Sequence, residues 1–169
     1  MRFTYLLATS VVAASLSLAA AQASPVPAPI AAAIADPGRP EADTKRDADR
    51  KPADMLVFAQ VKPGQKVADM VVGSGYFSRI FAKAVGPKGH VYSEVPQQIE
   101  GKYDSAAKAK AVADAYPNVT VVTQPLPQFS VPEKLDLVWT SQNYHDFHNP
   151  GFGSPDVAAL NKAIYDSLK

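Results

Sequence analysis

The chain has 169 residues, of which 47% are hydrophobic and 20% charged, an ordinary composition for one globular domain. Seventeen basic and sixteen acidic side chains give a formal charge of +1, which excludes a global electrostatic attraction to nucleic acid or to an anionic membrane. The absence of cysteine excludes a disulfide scaffold, a thiolate metal site and a cysteine nucleophile.

The first residues have the pattern of a secretory signal. Arg2 gives a positive start, Leu6 to Ala21 form an apolar run, and the segment from Ala21 to Ala23 fits a small-x-small cleavage site. A membrane anchor needs roughly 20 strongly apolar residues, whereas this run is diluted by serine and threonine. We therefore expect residues 1–23 to be a signal peptide and the protein to be periplasmic or secreted, without stable membrane insertion after cleavage.

Residues 24–49 are predicted to be a linker. Five prolines lie between Ser24 and Pro40, and proline lacks the backbone donor that regular structure uses. The segment from Glu41 to Lys51 is densely charged and is predicted to be solvated. The folded domain is predicted to occupy residues 50–169.

From Pro52 onward the hydrophobic pattern alternates between helices and strands. We predict helices at Pro52–Ala59, Tyr76–Val85, Asp104–Tyr116 and Val157–Leu168, the last capped by Ser154, and strands at Lys66–Val72, His90–Val95, Val119–Thr123 and Leu135–Thr140. This alternation predicts an α/β fold, a Rossmann-like three-layer sandwich with a mainly parallel sheet.

A glycine turn separates the first predicted strand from the helix that follows it. Gly73 and Gly75 allow a ligand to approach the backbone there, although tight turns also use glycine for steric reasons alone. Asp69 favours the ligand, because a carboxylate inside an apolar strand is costly to bury unless something pairs with it. We expect it to bind a cationic or hydrogen-donating group, as an adenosyl ligand with an ammonium group would supply.

In these residues the chain resembles the class I S-adenosylmethionine-dependent methyltransferases, most closely a group of exported predicted methyltransferases. The resemblance covers roughly residues 50–169. It rests on Arg50–Ala53, Val61–Asp69, Gly73–Ser78, Val85–Tyr92, Leu135–Val138 and Asn143–Asp146. It implies S-adenosyl-L-methionine as the cofactor and methyl transfer to a small molecule or another exported component as the reaction.

The resemblance also implies a set of cofactor-binding residues. They are Asp69, Gly73, Ser74 and Gly75 for the methionine portion, and Glu94 for the ribose hydroxyls. Two positions depart from the family pattern. Glu94 stands about one position before the usual acid, and Val71 stands where the family has glycine, although a branched residue does not easily adopt glycine's backbone angles.

A polar and aromatic cluster follows the fourth predicted strand. Its candidate catalytic residues are Asn143, Tyr144, His145 and Asp146, with His145 as the base and Asp146 as its orienting partner. The alternative stays open that Asn143 and Asp146 cap the loop while the histidines lie at its surface. No metal is expected, because His145, Asp146 and His148 lack a third, distant ligand.

Two other functions compete with methyl transfer. A catalytically silent exported ligand-binding domain with the same fold is favoured by Val71. A dinucleotide-dependent oxidoreductase is disfavoured, because Ser78 replaces the third glycine of that fingerprint and Asp69 would repel a pyrophosphate.

The predicted elements end with the helix that follows the fourth strand. The family's sheet continues with further strands, so we expect a C-terminally truncated version of the fold with one open sheet edge. A homo-oligomer or a partner protein would cover that edge.

Overall fold

The computed structural model describes residues 25–169 of the chain. The predicted signal peptide, residues 1–23, lies outside this range, so its cleavage stays a prediction. In the described part of the chain, no helix is long and apolar enough to cross a membrane.

All four strands of the sheet run parallel. They are β1 (Lys66–Asp69), β2 (His90–Pro96), β3 (Val119–Gln124) and β4 (Leu137–Trp139). Their order across the sheet is β3-β2-β1-β4, so β1 is central and pairs with both β2 and β4. This confirms the predicted α/β, Rossmann-like architecture. The strand order reverses between β1 and β4, and the crevice at the carboxyl ends of the strands at such a point is where these sheets bind ligands.

Helices cover both faces of the sheet. In the described residues they are α1 (Ala28–Ile34), α2 (Glu41–Thr44), α3 (Asp47–Arg50), α4 (Pro52–Phe58), α5 (Tyr76–Val85), α6 (Ser105–Ala115) and α7 (Val157–Ser167). Val67 and Val91 face the core beneath α1, α4 and α5, whereas Ala68 and Tyr92 face a second core with Leu160 of α7. Consecutive strand residues point to opposite faces, so this alternation buries the sheet on both sides.

Most of the predicted elements are confirmed, and the differences lie at their ends. The helix α5 has the predicted bounds, but β1 ends at Asp69, three residues early, because the chain leaves the sheet at Val71, whose φ is +55°. The last helix is capped by Asp156, whose carboxylate accepts a hydrogen bond from the Ala159 N–H at 3.0 Å, and not by Ser154.

The prediction of an extended linker before residue 50 is wrong, because this segment folds onto the domain. Its prolines precede or begin helices, where a missing backbone donor costs nothing, and Pro29 occupies the first turn of α1. Ile30 and Ala33 of α1 are fully buried against the same core as α5. The spacing of these two residues, three apart, puts them on one face of the helix.

The charged part of this segment is solvated only in part, because two of its carboxylates, Asp43 and Asp47, bond to α5 while Glu41, Lys45 and Asp49 are exposed. The Arg39 guanidinium donates two hydrogen bonds to the Asp47 carboxylate, at 2.6 and 2.9 Å. The Tyr76 hydroxyl at the start of α5 donates to the same carboxylate at 2.6 Å. Arg39 also lies over the Tyr76 ring, 5.4 Å from its centre.

A second ion pair joins α2 to the glycine turn. Arg79 of α5 donates a hydrogen bond from Nε to the Asp43 carboxylate at 2.7 Å, and both side chains are at most 10% exposed. The Nη2 atom of Arg79 donates to the Ser74 carbonyl at 2.7 Å. Arg79 therefore ties the N-terminal segment to the turn that precedes α5.

One edge strand of the sheet is β4, as expected for an open edge. Next to it, Leu135 pairs with Leu168 in a parallel bridge, and the Leu135 N–H donates to the Ser167 carbonyl at 2.9 Å. Trp139 of β4 is half-buried and packs its ring edge-on against Phe77. A homo-oligomer or partner that covers this edge stays a prediction.

Replacing Asp43 should destabilise the fold. Asp43→Asn leaves the buried Arg79 guanidinium without its counter-charge, and the loss of one partner of a buried pair typically costs about 3 kcal/mol. Urea unfolding followed by circular dichroism measures this change in the free energy of unfolding. The matched control, Asp49→Asn at an exposed position nearby, should stay within about 0.5 kcal/mol of the parent chain. Equal effects of the two variants would contradict the proposed importance of the ion pair.

Candidate functional site

The turn between β1 and α5, residues 70–75, is the centre of the site. Three of its residues have a left-handed backbone: Val71 with φ of +55°, Gly73 with +55° and Gly75 with +82°. Val71 adopts the angles that glycine permits, so the valine does not change the turn but strains it. A β-branched residue in this conformation costs of order 1–3 kcal/mol, so the surrounding contacts must hold the turn in place.

The two glycines of the turn have different roles. A Cβ atom on Gly75 would lie 2.3 Å from Cγ2 of Val112 and 3.0 Å from Arg79, so Gly75 is needed for the packing of α6 on the turn. A Cβ atom on Gly73 would meet nothing closer than the Val71 carbonyl oxygen at 3.8 Å. Gly73 is therefore exposed backbone that a ligand can approach.

Side chains from β2 and from the loop after β4 hold the turn in place. Glu94 of β2 is completely buried and accepts a hydrogen bond from the Val71 N–H at 3.1 Å. Asn143, beyond β4, donates from its side-chain amide to the carbonyls of Met70 at 3.3 Å and Val71 at 3.2 Å. The Thr140 hydroxyl donates to the Asn143 amide oxygen and so fixes its orientation.

Asp69 lies at the carboxyl end of the central strand and is 4% exposed. Its carboxylate accepts a hydrogen bond from the Ser78 hydroxyl at 2.7 Å, and the Ser78 oxygen is also 2.7 Å from the Ser93 hydroxyl. Burial raises the pKa of Asp69 to about 7, although the Ser78 bonds and the charge of Arg50 lower it. Asp69 therefore changes its charge close to neutral pH.

Two cavities meet at the turn. We name them the Asp69 cavity, of about 300 Å³, and the Phe152 cavity, of about 480 Å³. Val71, Gly73 and Ser74 line both of them. The Asp69 cavity also contains the polar side chains of Arg46, Arg50, Asp69, Ser141, Gln142 and Asn143. The Phe152 cavity is lined by apolar and polar groups, among them Ile99, Tyr103, Lys108, Asp146 and Phe152.

The structure brings together four of the five predicted cofactor-binding residues. Asp69, Gly73 and Ser74 line the cavities, and Gly75 completes the turn. Glu94 lines neither cavity, because its side chain points beneath the turn, and its expected role at a ribose is replaced by a role in holding Val71. Burial raises the pKa of Glu94 to about 8.

The four candidate catalytic residues are divided by the structure. Asn143 lines the Asp69 cavity and Asp146 lines the Phe152 cavity. The side chain of His145 is 77% exposed and lines neither cavity, although its Nε2 atom lies 3.4 Å from the Asp146 carboxylate. The Tyr144 hydroxyl donates to the Asn161 amide oxygen at 2.9 Å, outside both cavities. Of the open alternative, the surface position of His145 and His148 fits the structure, whereas Asn143 does not cap the loop but holds the carbonyls of Met70 and Val71.

Sequence analysis missed the two arginines that line the Asp69 cavity. They are Arg46 and Arg50, which belong to the segment that was predicted to be solvated. The two arginines are four residues apart, which puts both on one face of a helix. This spacing is the feature of the sequence that could have indicated a shared position.

Comparison with known proteins gives partial matches to methyltransferases. No family model matches the chain. Over 70 residues, 40% of its length, the chain is 38% identical to a protein-L-isoaspartate O-methyltransferase of Ignicoccus hospitalis. Over 62 residues, 37% of its length, it is 36% identical to the enzyme of the same name from Methanothermobacter thermautotrophicus. The chain spans only 31% and 27% of the lengths of these two curated relatives.

Several solved structures, among them a SAM-dependent methyltransferase, share the fold. A SAM-dependent methyltransferase from Aquifex aeolicus superposes with a TM-score of 0.56 and 21% identity, over 78% of this chain and 68% of that one. A cyclopropane-fatty-acyl-phospholipid synthase-like protein from Lactobacillus casei gives 0.54 and 21%, over 76% and 50%. The chain therefore has the α/β fold of the S-adenosylmethionine-dependent methyltransferase structures.

The buried carboxylate of Asp69 should destabilise the free protein as the pH rises. Its pKa is about 7 in the folded protein and 3.8 for an ordinary aspartate, so the cost is absent below pH 3.8, develops between these values and is complete above about 7. Asp69→Asn removes the charge but keeps an oxygen for the Ser78 hydroxyl. We expect this variant to melt at a higher temperature than the parent chain, by more at pH 8 than at pH 5.

Thermal melts followed by circular dichroism test this prediction. The control is Asp54→Asn, at an exposed position of α4, which should leave the melting temperature nearly unchanged at both pH values. A lower melting temperature of Asp69→Asn at pH 8 would show that the carboxylate stabilises the fold and is not kept for a ligand.

Proposed function

We propose that the chain binds S-adenosyl-L-methionine across the turn of residues 70–75 and transfers its methyl group to an acceptor. The observation that carries this proposal is the pair of cavities that meet at the exposed backbone of Gly73, with Asp69 buried at the floor of one of them. In the described residues, no cationic side chain is hydrogen-bonded to Asp69. A ligand with an ammonium group supplies the partner that this carboxylate lacks.

The two cavities suit the two ends of this ligand. The methionine portion belongs in the Asp69 cavity, where the carboxylate accepts hydrogen bonds from the ammonium group and the exposed backbone of Gly73 and Ser74 allows close approach. The adenosine belongs in the Phe152 cavity, where Ile99 and Phe152 supply apolar surface. The similarity to methyltransferase sequences and folds supports this assignment.

When bound, the cofactor supplies a methyl group on a sulfonium, which is already activated for transfer. The protein's own task is to hold donor and acceptor in line and to remove the acceptor's proton. Asp146 lines the Phe152 cavity, and we propose that its carboxylate accepts that proton from an acceptor bound where the two cavities meet. His145, with Nε2 at 3.4 Å from Asp146, is placed to pass the proton on to solvent. In this proposal Asp146 takes the role of base that the sequence analysis gave to His145.

The acceptor is proposed to be an oxygen of a small molecule or of another exported component. The two curated relatives are named as O-methyltransferases, which supports an oxygen acceptor.

Export itself is part of the proposal and rests on the sequence pattern of residues 1–23. The mass of the protein recovered from the periplasm or medium of expressing cells tests it, because cleavage after Ala23 removes 23 residues. Recovery of the uncleaved chain from the cytoplasm alone would contradict it.

A second candidate function is a ligand-binding domain without catalysis. Val71 in a strained left-handed conformation, where the family has glycine, and the outward position of His145 favour this alternative. The two functions share a binding site and differ only in turnover. Transfer of a radiolabelled methyl group to any acceptor would decide for the enzyme.

Calorimetric titration with S-adenosylmethionine and S-adenosylhomocysteine tests the proposed binding site. We expect saturable binding by the parent chain and its loss in Gly73→Val, whose side chain would fill the backbone surface between the cavities. The control is Gly64→Val, at another left-handed position with open surroundings, away from both cavities. A folded parent chain that binds neither ligand would overturn the proposal.

Replacing Val71 by glycine should strengthen cofactor binding with little effect on stability. The relief of roughly 1–3 kcal/mol of strain is offset by roughly 0.5–1 kcal/mol of chain entropy and by the lost side-chain burial. Val71 lines both cavities, so we expect the loss of its side chain to widen the passage between them. We expect the affinity for S-adenosylhomocysteine to rise about threefold or more, equivalent to about 0.7 kcal/mol. Weaker binding would show instead that the valine contacts the ligand.

A further inference from the structure

Two arginines reach the Asp69 cavity from the N-terminal segment. Arg50 is the last residue of α3, and Arg46 precedes that helix. The guanidinium carbon of Arg50 lies 4.8 Å from the centre of the Tyr76 ring and 5.3 Å from that of Phe77. Its Nη2 atom donates a hydrogen bond to the Gln142 amide oxygen at 3.0 Å. Stacking and hydrogen bonding therefore hold the guanidinium in place before any ligand arrives.

In the part of the chain that the structure describes, Arg46 and Arg50 lack the carboxylate partners that Arg39 of the same segment and Arg79 of α5 have. Arg39 is paired with Asp47, and Arg79 is paired with Asp43. Among residues 25–169, neither Arg46 nor Arg50 has a carboxylate within 4.0 Å. A guanidinium has five N–H donors, and in the same range the one side-chain hydrogen bond of Arg50 is that to Gln142. Arg50 thus keeps donors for an anion in the cavity.

The Asp69 cavity therefore presents both signs of charge to a ligand. The arginines supply positive charge on the side of α3, and Asp69 supplies a carboxylate at the end of β1. The charges of Arg50 and Asp69 are close enough for Arg50 to lower the pKa of Asp69. A group with a carboxylate and an ammonium on the same carbon, as in an α-amino acid, matches this arrangement.

We propose that Arg50 binds the α-carboxylate of the methionine portion of the donor, with Arg46 adding positive charge at the same cavity. This inference rests on the proposed function and deepens it. It makes the segment before residue 50 part of the binding site. The contacts that fix this segment, from Asp47 to Tyr76 and from Asp43 to Arg79, then also position the carboxylate-binding group.

Two ligands that differ by one carboxylate test the inference. Decarboxylated S-adenosylmethionine keeps the ammonium and the adenosine but lacks the α-carboxylate. We expect the parent chain to bind S-adenosylmethionine roughly 10- to 100-fold more tightly than the decarboxylated compound. This ratio corresponds to the strength of the charge-assisted hydrogen bonds that a guanidinium donates to a carboxylate. Arg50→Gln should abolish this preference by weakening the binding of S-adenosylmethionine alone.

Two further variants separate charge from geometry. Arg50→Lys keeps the charge but not the planar fork, so it should restore only part of the preference. Lys45→Gln removes one positive charge from an exposed position nearby and should leave both affinities unchanged. Calorimetry gives the affinities, and the melting temperature of each variant shows whether it is folded.

The results of these titrations separate the role of Arg50 in carboxylate binding from the proposed binding of S-adenosylmethionine itself. If the parent chain binds both compounds equally, or Arg50→Gln weakens both by the same factor, Arg50 has a structural role only and the inference is overturned while the proposed function stands. If the parent chain binds neither compound, both are overturned. If Arg50→Gln does not fold, Arg50→Lys carries the test, and a preference equal to that of the parent chain in folded Arg50→Lys would overturn the inference.

Discussion

The left-handed turn at the end of the central strand is the constraint on which the rest of the structure depends. It must expose backbone at Gly73 to a ligand while keeping Val71 in a conformation that valine disfavours. Contacts from several directions hold it: Glu94 below the Val71 N–H, Asn143 on the carbonyls and Arg79 on the carbonyl that follows Gly73. These contacts come from β2, the loop after β4 and α5, so the sheet order itself makes the turn possible.

The N-terminal segment extends this support to the site. It is joined to α5 by two buried or half-buried carboxylates, Asp43 and Asp47, and it places Arg50 at the same cavity as Asp69. The hydrogen bonds from Ser78 and the charge of Arg50 offset only part of the cost of burying the Asp69 carboxylate. This is what is expected of a group kept for a ligand, because sites that bind charged groups carry destabilising charges that the ligand neutralises.

The sequence was sufficient for the sheet and for the position of the turn, because both depend on local patterns. Apolar runs and helical spacing predicted four strands and the bounds of α5, and Asp69, Gly73 and Gly75 marked the turn as the candidate site. The sequence was not sufficient where the burial of a charged side chain depends on residues distant in the chain. The charges of Asp43 and Asp47 look solvated until α5 brings Arg79 and Tyr76 beside them.

A crystal structure of the chain with S-adenosylhomocysteine would show directly where the ligand binds. We expect the ligand across the turn of residues 70–75, with its ammonium group within hydrogen-bonding distance of Asp69 and its adenine in the Phe152 cavity. Well-defined ligand density away from Gly73, or a ligand in the reverse orientation with adenine at Asp69, would contradict the account.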